Sequence, residues 1–420
     1  MIEFDGARAQ ILTLAHLTPI EVCPAGESLG RVLAAPVISA ENLPPFDNSA
    51  MDGFALFSGG VALDGGREFA VRGALMAGDG QSEALRDGTH AFEIMTGARL
   101  PDGADAVVPV EQVAVLERDA AGHATRIRLE ATIETGRHLR RAGEDVAQGI
   151  EVMAAGSVIG PAHLAMLAAL GVGQVSVRRR PRVALVCTGR ELVDTADATL
   201  DGSQIRNSNG PLLAARLREA GAELVLQATV SDEPEAFAAA LAQARACGAE
   251  VFISTGAVSM GRHDFVPDTL RQAGAQLHFH KVRMRPGKPL LLASLPDGIV
   301  CFGLPGNPAS SAVGLRFFVE PLLRAMLGMA TERPLRVVLE ACATPASGWR
   351  YLYKGALVLD ASGHMRARML AGQESFRIRP LLQANAWLEL AADRAPVQAG
   401  DLIDVWPPGH LAGMKIEVQT

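Results

Sequence analysis

Three carboxylates, Glu191, Asp232 and Asp264, lie in polar loops that follow apolar runs of strand character. The loops read Thr188-Gly189-Arg190-Glu191, Ser231-Asp232-Glu233-Pro234, the stretch 254–264 with Gly256, Ser259 and Gly261, and Gly303-Leu304-Pro305-Gly306-Asn307-Pro308. Glycine lets a backbone approach a ligand closely, and the N–H groups that open a helix attract oxyanions. Carboxylates suit a hard cation, and Mg2+ commonly bridges one or two of them to substrate phosphates. The chemistry indicated is binding of a phosphorylated ligand with Mg2+. Taken singly, each feature has a plainer explanation. Glycine-rich strand–helix turns occur for steric reasons, Asn307-Pro308 suits an N-cap followed by proline at N1, and isolated loop carboxylates are usually solvated. Their common placement at strand ends is what points to one site.

A basic segment, His280-Lys281-Val282-Arg283-Met284-Arg285-Pro286-Gly287-Lys288-Pro289, adds cations. Strand alternation predicts Lys281, Arg283 and Arg285 on one face, with Lys288 brought near Arg285 by the Pro-Gly turn. Such a face is either a solvated edge guard or an oxyanion site, and the turn favours the oxyanion site.

The elements that position these groups follow from periodicity and punctuation. Strands are predicted at 183–186, 224–226, 251–253 and 299–302, with helices at 210–220, 234–246, 266–273 and a long one at 308–326. Alternation of this kind predicts a central, doubly wound, mostly parallel α/β domain over 178–330. Ligands of such sheets bind beyond the carboxyl ends of the strands, near a switch in strand order. Residues 46–145 alternate short β runs with glycine-rich turns and predict a β-rich inserted domain. Residues 1–45 with 146–177 form an N-terminal mixed linker domain, and 331–420 a C-terminal β-barrel.

Composition narrows the function classes. At 420 residues the chain exceeds one ordinary core, and 49% hydrophobic residues supply several. A net charge of −7 argues against general nucleic-acid binding, so any anion is recognised locally. Five scattered cysteines without a C-x-x-C pair predict neither zinc site nor disulfide framework, and Cys187 and Cys301 read as reduced core residues. The first residues lack a signal-peptide pattern and no apolar run approaches ~20 residues, so a soluble cytoplasmic protein is expected.

A second constellation lies elsewhere: Pro44-Pro45-Phe46-Asp47-Asn48-Ser49-Ala50-Met51-Asp52-Gly53-Phe54-Ala55, Met95-Thr96-Gly97-Ala98 and Arg140-Arg141-Ala142-Gly143-Glu144-Asp145. Each alone reads as turn chemistry. Together, and in order with the loop 254–264, Arg285-Pro286-Gly287-Lys288-Pro289 and 303–308, they resemble the molybdopterin molybdenumtransferase family (MoeA type, including the E domain of gephyrin). The likeness covers nearly the whole chain.

The resemblance implies four domains per subunit and a homodimer whose active cleft is built from both subunits. It implies binding of adenylylated molybdopterin, Mg2+-dependent cleavage of its link to AMP, and insertion of molybdate as a substrate at the dithiolene. Carried over by position, Asp52, Thr96, Glu191, Asp232 and Asp264 are implied as catalytic, with Asp264 and then Asp52 as metal ligands. Asp145, Gly256, Ser259, Gly261, Pro305, Asn307 and Pro308 are implied in substrate binding, Arg285 and Lys288 in holding molybdate, and Ser375 in a second oxyanion contact. A molybdopterin adenylyltransferase and cofactor-accepting proteins are implied partners. The chain departs from the family at Arg190, Asn207 and Ala257, and at Lys354, Arg377 and Arg379 in the barrel. Two other functions fit parts of the chain: adenylylation of molybdopterin, which the 178–330 segment resembles, and a non-enzymatic dimeric peptide-binding scaffold.

Overall fold

The structure is a computed structural model that describes residues 1–420 apart from 197, 258–264, 394–395, 414–415 and 419–420. Six strands form the central sheet in the order Glu223–Val230, Arg182–Thr188, Val251–Thr255, Val300–Leu304, Leu291–Ser294, Gln276–Phe279. The first four are mutually parallel; Leu291–Ser294 runs against them, and Gln276–Phe279, antiparallel to it, runs with the first four. Alternate residues serve opposite faces: Val183, Leu185 and Ile253 enter one core, Ala184, Val186 and Phe252 the other. Helices on both faces cover them, as predicted for a doubly wound sheet. Cys187 and Cys301 are free and buried, as expected, and burial pushes both thiols up.

The chain reverses its order of strand addition at Arg182–Thr188, which lies between the next two parallel strands of the chain, Glu223–Val230 and Val251–Thr255. The loops after Arg182–Thr188 and Val251–Thr255 therefore diverge and leave a crevice. The helix predicted over 308–326 is continuous in direction but carries a π segment, Leu315–Val319, between Pro308–Gly314 and Glu320–Met326. Pro321 lacks the N–H needed for the regular i to i−4 bond, and widening the preceding turn absorbs the gap.

A second six-stranded sheet has the order Ala106–Pro109, Gly53–Leu56, His90–Ile94, Glu68–Leu75, Ala124–Leu129, Val113–Arg118. Gly53 is dictated by contact, since a Cβ there would lie 1.9 Å from the Val108 carbonyl oxygen. The Asp-Gly step therefore starts a buried strand and leaves Asp52 outside it. Leaving and re-entering this sheet, the chain pairs Ile20–Pro24 with Gln174–Arg178 and Val37–Ile38 with Glu151–Met153. The first helix, Phe4–Leu12, turns Phe4, Ala7 and Ile11 into the α/β core, with Phe4 edge-on to Phe318 at 5.2 Å.

Five C-terminal strands close a barrel in the order Arg350–Leu359, Met365–Met369, Leu335–Leu339, Leu402–Trp406, Ala386–Leu390 and back to Arg350–Leu359. It is docked on the π segment: Phe317 meets the Trp406 ring at 5.9 Å, and buried Arg316 pairs with Glu332 at 2.6 Å. Met284–Arg285 pairs in parallel with Arg350 and Tyr351. The three-cation strand face expected at 281–285 is thus not formed. Only these two residues are strand, and Arg283 instead pairs with Glu3 at 2.9 Å. Among the described residues no helix is long and apolar enough to cross a membrane.

Candidate functional site

A cleft of about 860 Å³ opens at the switch point, lined by Glu191, Asp232, Gly256, Asn307, Pro308 and Phe376 among others. Its size is that of a small-molecule site. The floor is made by strand ends held tightly together. Thr188 Oγ1 donates to the Thr255 carbonyl at 3.1 Å, and Gly256 adopts φ +92° where a Cβ would meet the Thr188 carbonyl at 2.6 Å. Only glycine fits there. A Cβ on Gly306 would stand 3.8 Å from the Gly256 Cα, so the two glycine loops meet across the floor.

Asn209 donates its amide to the Gly306 carbonyl at 2.6 Å, while its buried Oδ1 has no partner among the described residues. Buried amide oxygens normally accept a bond, so this unmet acceptor on a cleft-lining residue is unusual. Sequence reasoning missed Asn209; its position just inside the helix after Asn207 was the available signal. Asn207 itself is fully used. It donates to Asp194 and Thr229, both at 2.9 Å, and accepts the Gly210 N–H at 2.9 Å. An aspartate here would face Asp194 without a proton to share, which accounts for that departure.

Glu191 and Asp232 form the acidic rim, and the Arg190 backbone N–H donates to Asp232 at 3.4 Å. Both are hard oxygen donors of the kind Mg2+ accepts alongside phosphate oxygens. Among the described residues no group of three or more His, Cys, Asp or Glu converges into a metal cage. Asp264, Ser259 and Gly261 lie outside the described residues.

The helix start at Pro308 differs from expectation. Pro308 has no N–H, and the next one, from Ala309, donates to the Ser375 carbonyl at 3.0 Å. Both positions are therefore lost to an anion. Asn307 occupies the N-cap without a side-chain cap bond, which leaves its amide at the cleft. Pro305 is buried and does not line the cleft; its carbonyl accepts the Ser311 hydroxyl.

Ser375 belongs to a barrel segment that forms the opposite wall through Phe376 and Ile378. Lys354, 1% exposed, pins this segment by donating Nζ to the carbonyls of Glu374 at 3.2 Å and Arg377 at 3.3 Å. Burial lowers its ammonium pKa, partly offset by Glu374. Lys354 is therefore a clamp in this chain, with its charge turned away from the cleft.

Arg285 and Lys288 are brought together, as the Pro-Gly turn predicted. Their charged groups stand 4.9 and 5.6 Å from the centre of one indole, Trp349, a partner no sequence signal marked. Gly287, at φ +96°, lets the turn lean on Ser310 in the first turn of the 308 helix. The pair is therefore beside the cleft, although neither residue lines it.

Asp52, Thr96 and Asp145 are exposed and line no part of this cleft. Thr96 donates both Oγ1 and N–H to Asp52 Oδ1 at 2.7 Å, and these bonds hold the carboxyl below its ordinary range. Asp47 is structural: it accepts from Arg141 at 2.6 Å and from the Ala142 N–H at 2.8 Å, joining the two motif loops.

Ala257 takes φ +49°, a left-handed conformation that costs an L-residue about 1 kcal/mol relative to glycine. Ala257→Gly is expected to stabilise the protein by a fraction of that, because glycine also loosens the unfolded chain. Chemical denaturation checks this; a loss of stability would mean that the Ala257 methyl packs productively.

A crevice of ligand size at the switch point of a doubly wound sheet, walled by a β-barrel and rimmed by acid, defines the class: a multidomain α/β protein built to hold a polar small molecule. Models of the MoeA N-terminal region (domain I and II), a probable molybdopterin binding domain and the MoeA C-terminal region (domain IV) match residues 2–171, 184–325 and 336–407. The molybdopterin molybdenumtransferase of Synechococcus elongatus is 38% identical over 392 residues, 92% of this chain and 94% of that one. That of Bacillus subtilis is 33% identical over 90% of this chain and 87% of its own. The chain belongs to the molybdopterin molybdenumtransferase (MoeA) family. Its fold matches the crystal structure of the molybdopterin biosynthesis moeA protein from Pyrococcus horikoshii OT3, with TM-score 0.80, 24% identity, and 97% and 100% of the two chains covered.

Proposed function

We propose that this chain is a molybdopterin molybdenumtransferase that takes adenylylated molybdopterin, cleaves its link to AMP and inserts molybdate to form molybdenum cofactor. The observation that carries this is the pairing of an acid-rimmed, glycine-floored cleft with two cations stacked on Trp349 at its side. The first suits a phosphorylated nucleotide and the second a tetrahedral dianion. Asn209, Asn307 and Gly256 orient the nucleotide portion, and Glu191 and Asp232 face its phosphates. Arg285 and Lys288 hold molybdate. Asp264 and Asp52 are the residues we assign to Mg2+, which when bound neutralises charge on the phosphates as the link breaks. Catalysis otherwise rests on positioning and fixed electrostatics.

Asp52 and Thr96 are absent from the cleft of their own chain, which supports a homodimer in which they complete the partner's cleft. Four domains, with the limits given above, follow from the same assignment. A cytoplasmic adenylyltransferase then supplies the substrate, and apoproteins accept the product.

The purified protein given adenylylated molybdopterin, Mg2+ and molybdate is expected to release AMP and yield active cofactor. Asp264→Ala should slow that release by about 100-fold or more. AMP release by the wild type that ignores both Mg2+ and molybdate would overturn the assignment.

A further inference from the structure

Phe376 is the one aromatic ring among the described residues lining the cleft, and it is 63% exposed. An exposed ring on the wall of a ligand-sized cleft offers a flat apolar face to whatever occupies it. The main chain that carries this one is held in place by its surroundings. On either side of it the main chain is bonded: Lys354 Nζ takes the carbonyls of Glu374 and Arg377, and the Ser375 carbonyl accepts the Ala309 N–H. Gln373 adds bonds to the Lys354 and Leu370 carbonyls at 2.8 and 2.7 Å. The Arg377 guanidinium lies 5.6 Å from the ring centre and pairs with Glu374 at 2.8 Å. A ring carried on a main chain fixed in this way, with Arg377 beside it, loses less entropy when a flat ligand is laid on it than one on an unsupported loop would. Ile378, also on the cleft wall, extends the apolar surface. The remaining wall supplies carboxylates, amides, hydroxyls, glycine and the Arg206 cation, with Leu192 and Ile205 as aliphatic surface, but no second aromatic ring among the described residues.

We propose, resting on the nucleotide role given to the cleft above, that Phe376 is the stacking platform for a planar heteroaromatic ring of the substrate and sets specificity for it. Adenine and the pterin share the required chemistry.

Calorimetric titration of the full chain with AMP, ribose 5-phosphate and molybdopterin separates the sources. Stacking of a base on an aromatic side chain predicts that Phe376→Ala weakens the stacked ligand about tenfold. Ribose 5-phosphate should be unaffected, the thermal midpoint unchanged, and Phe376→Tyr should restore binding. Loss confined to AMP identifies adenine as the stacked ring, and loss confined to molybdopterin identifies the pterin. Unchanged affinity for both, or an equal loss for ribose 5-phosphate, overturns the platform while leaving the cleft assignment intact. Wild-type protein that binds neither AMP nor molybdopterin overturns the cleft assignment, and the platform with it.

Discussion

Mixing Asp52→Ala protein with Asp232→Ala protein, each inactive alone, is expected to restore about a quarter of the wild-type rate of AMP release, because half the randomised dimers carry one intact composite cleft. The expectation comes from where the two carboxylates lie. Asp232 rims the cleft of its own chain, whereas Asp52 lies just before strand Gly53–Leu56 of the other sheet and does not reach it. Each single substitution removes fixed negative charge from the reacting region, an effect of about 100-fold or more on turnover. Asp52 is exposed and Asp232 is a rim residue, so the folded state should survive both changes. Mixed dimers that stay inactive, after subunit exchange is verified, would place Asp52 in its own chain's site or outside catalysis.

The Asp52 contribution carries a pH signature. Its carboxyl is held low first by the Thr96 hydroxyl and then by the Thr96 N–H. A depressed folded pKa means that the favourable interaction is present above the unfolded value of about 4 and disappears as pH falls through the lower folded value. An acid limb governed by Asp52 therefore lies below about pH 4, and Thr96→Val should move it upward.

Replacing Arg285 and Lys288 together by alanine should raise the molybdate KM by about 100-fold, since each charge-assisted bond to an oxyanion is worth about 1.5–3 kcal/mol and exposure places these at the low end. AMP affinity should change little, because neither residue lines the nucleotide cleft. Trp349→Ala should cost about fivefold by freeing the two cations from the indole. Both effects should shrink as ionic strength rises, because the pair is exposed and screened. A molybdate KM unmoved by the double change would remove the pair from the oxyanion site.

Much of the architecture was legible because it is written in local terms. Helix Pro234–Ala246 has proline at its start and an apolar period throughout, and the structure has those bounds. The parallel strands read as unbroken apolar runs because both faces are buried. The basic segment misled at its first half, since alternation of charge does not reveal that Arg283 is drawn to Glu3 and that only Met284–Arg285 joins a sheet. The helix start at Pro308 misled differently. The Ala309 N–H looked available to phosphate, but the barrel segment supplies the Ser375 carbonyl as its acceptor.

By itself, the sequence determined the order of elements, the mostly parallel sheet, the closed barrel and the strand-end loops that carry Glu191, Asp232, Gly256 and Asn307. These depend on side-chain period, proline and glycine, which act over a few residues. Only the tertiary structure decided that Phe376 walls the cleft, that Trp349 gathers Arg285 and Lys288, and that Lys354 is a clamp. Those pairings join positions twenty or more residues apart; the Lys354 clamp forms within the barrel, and the other two form because the barrel docks on Phe317 and Arg316 of the α/β core. No local pattern encodes a contact whose two sides meet only after separate cores have packed.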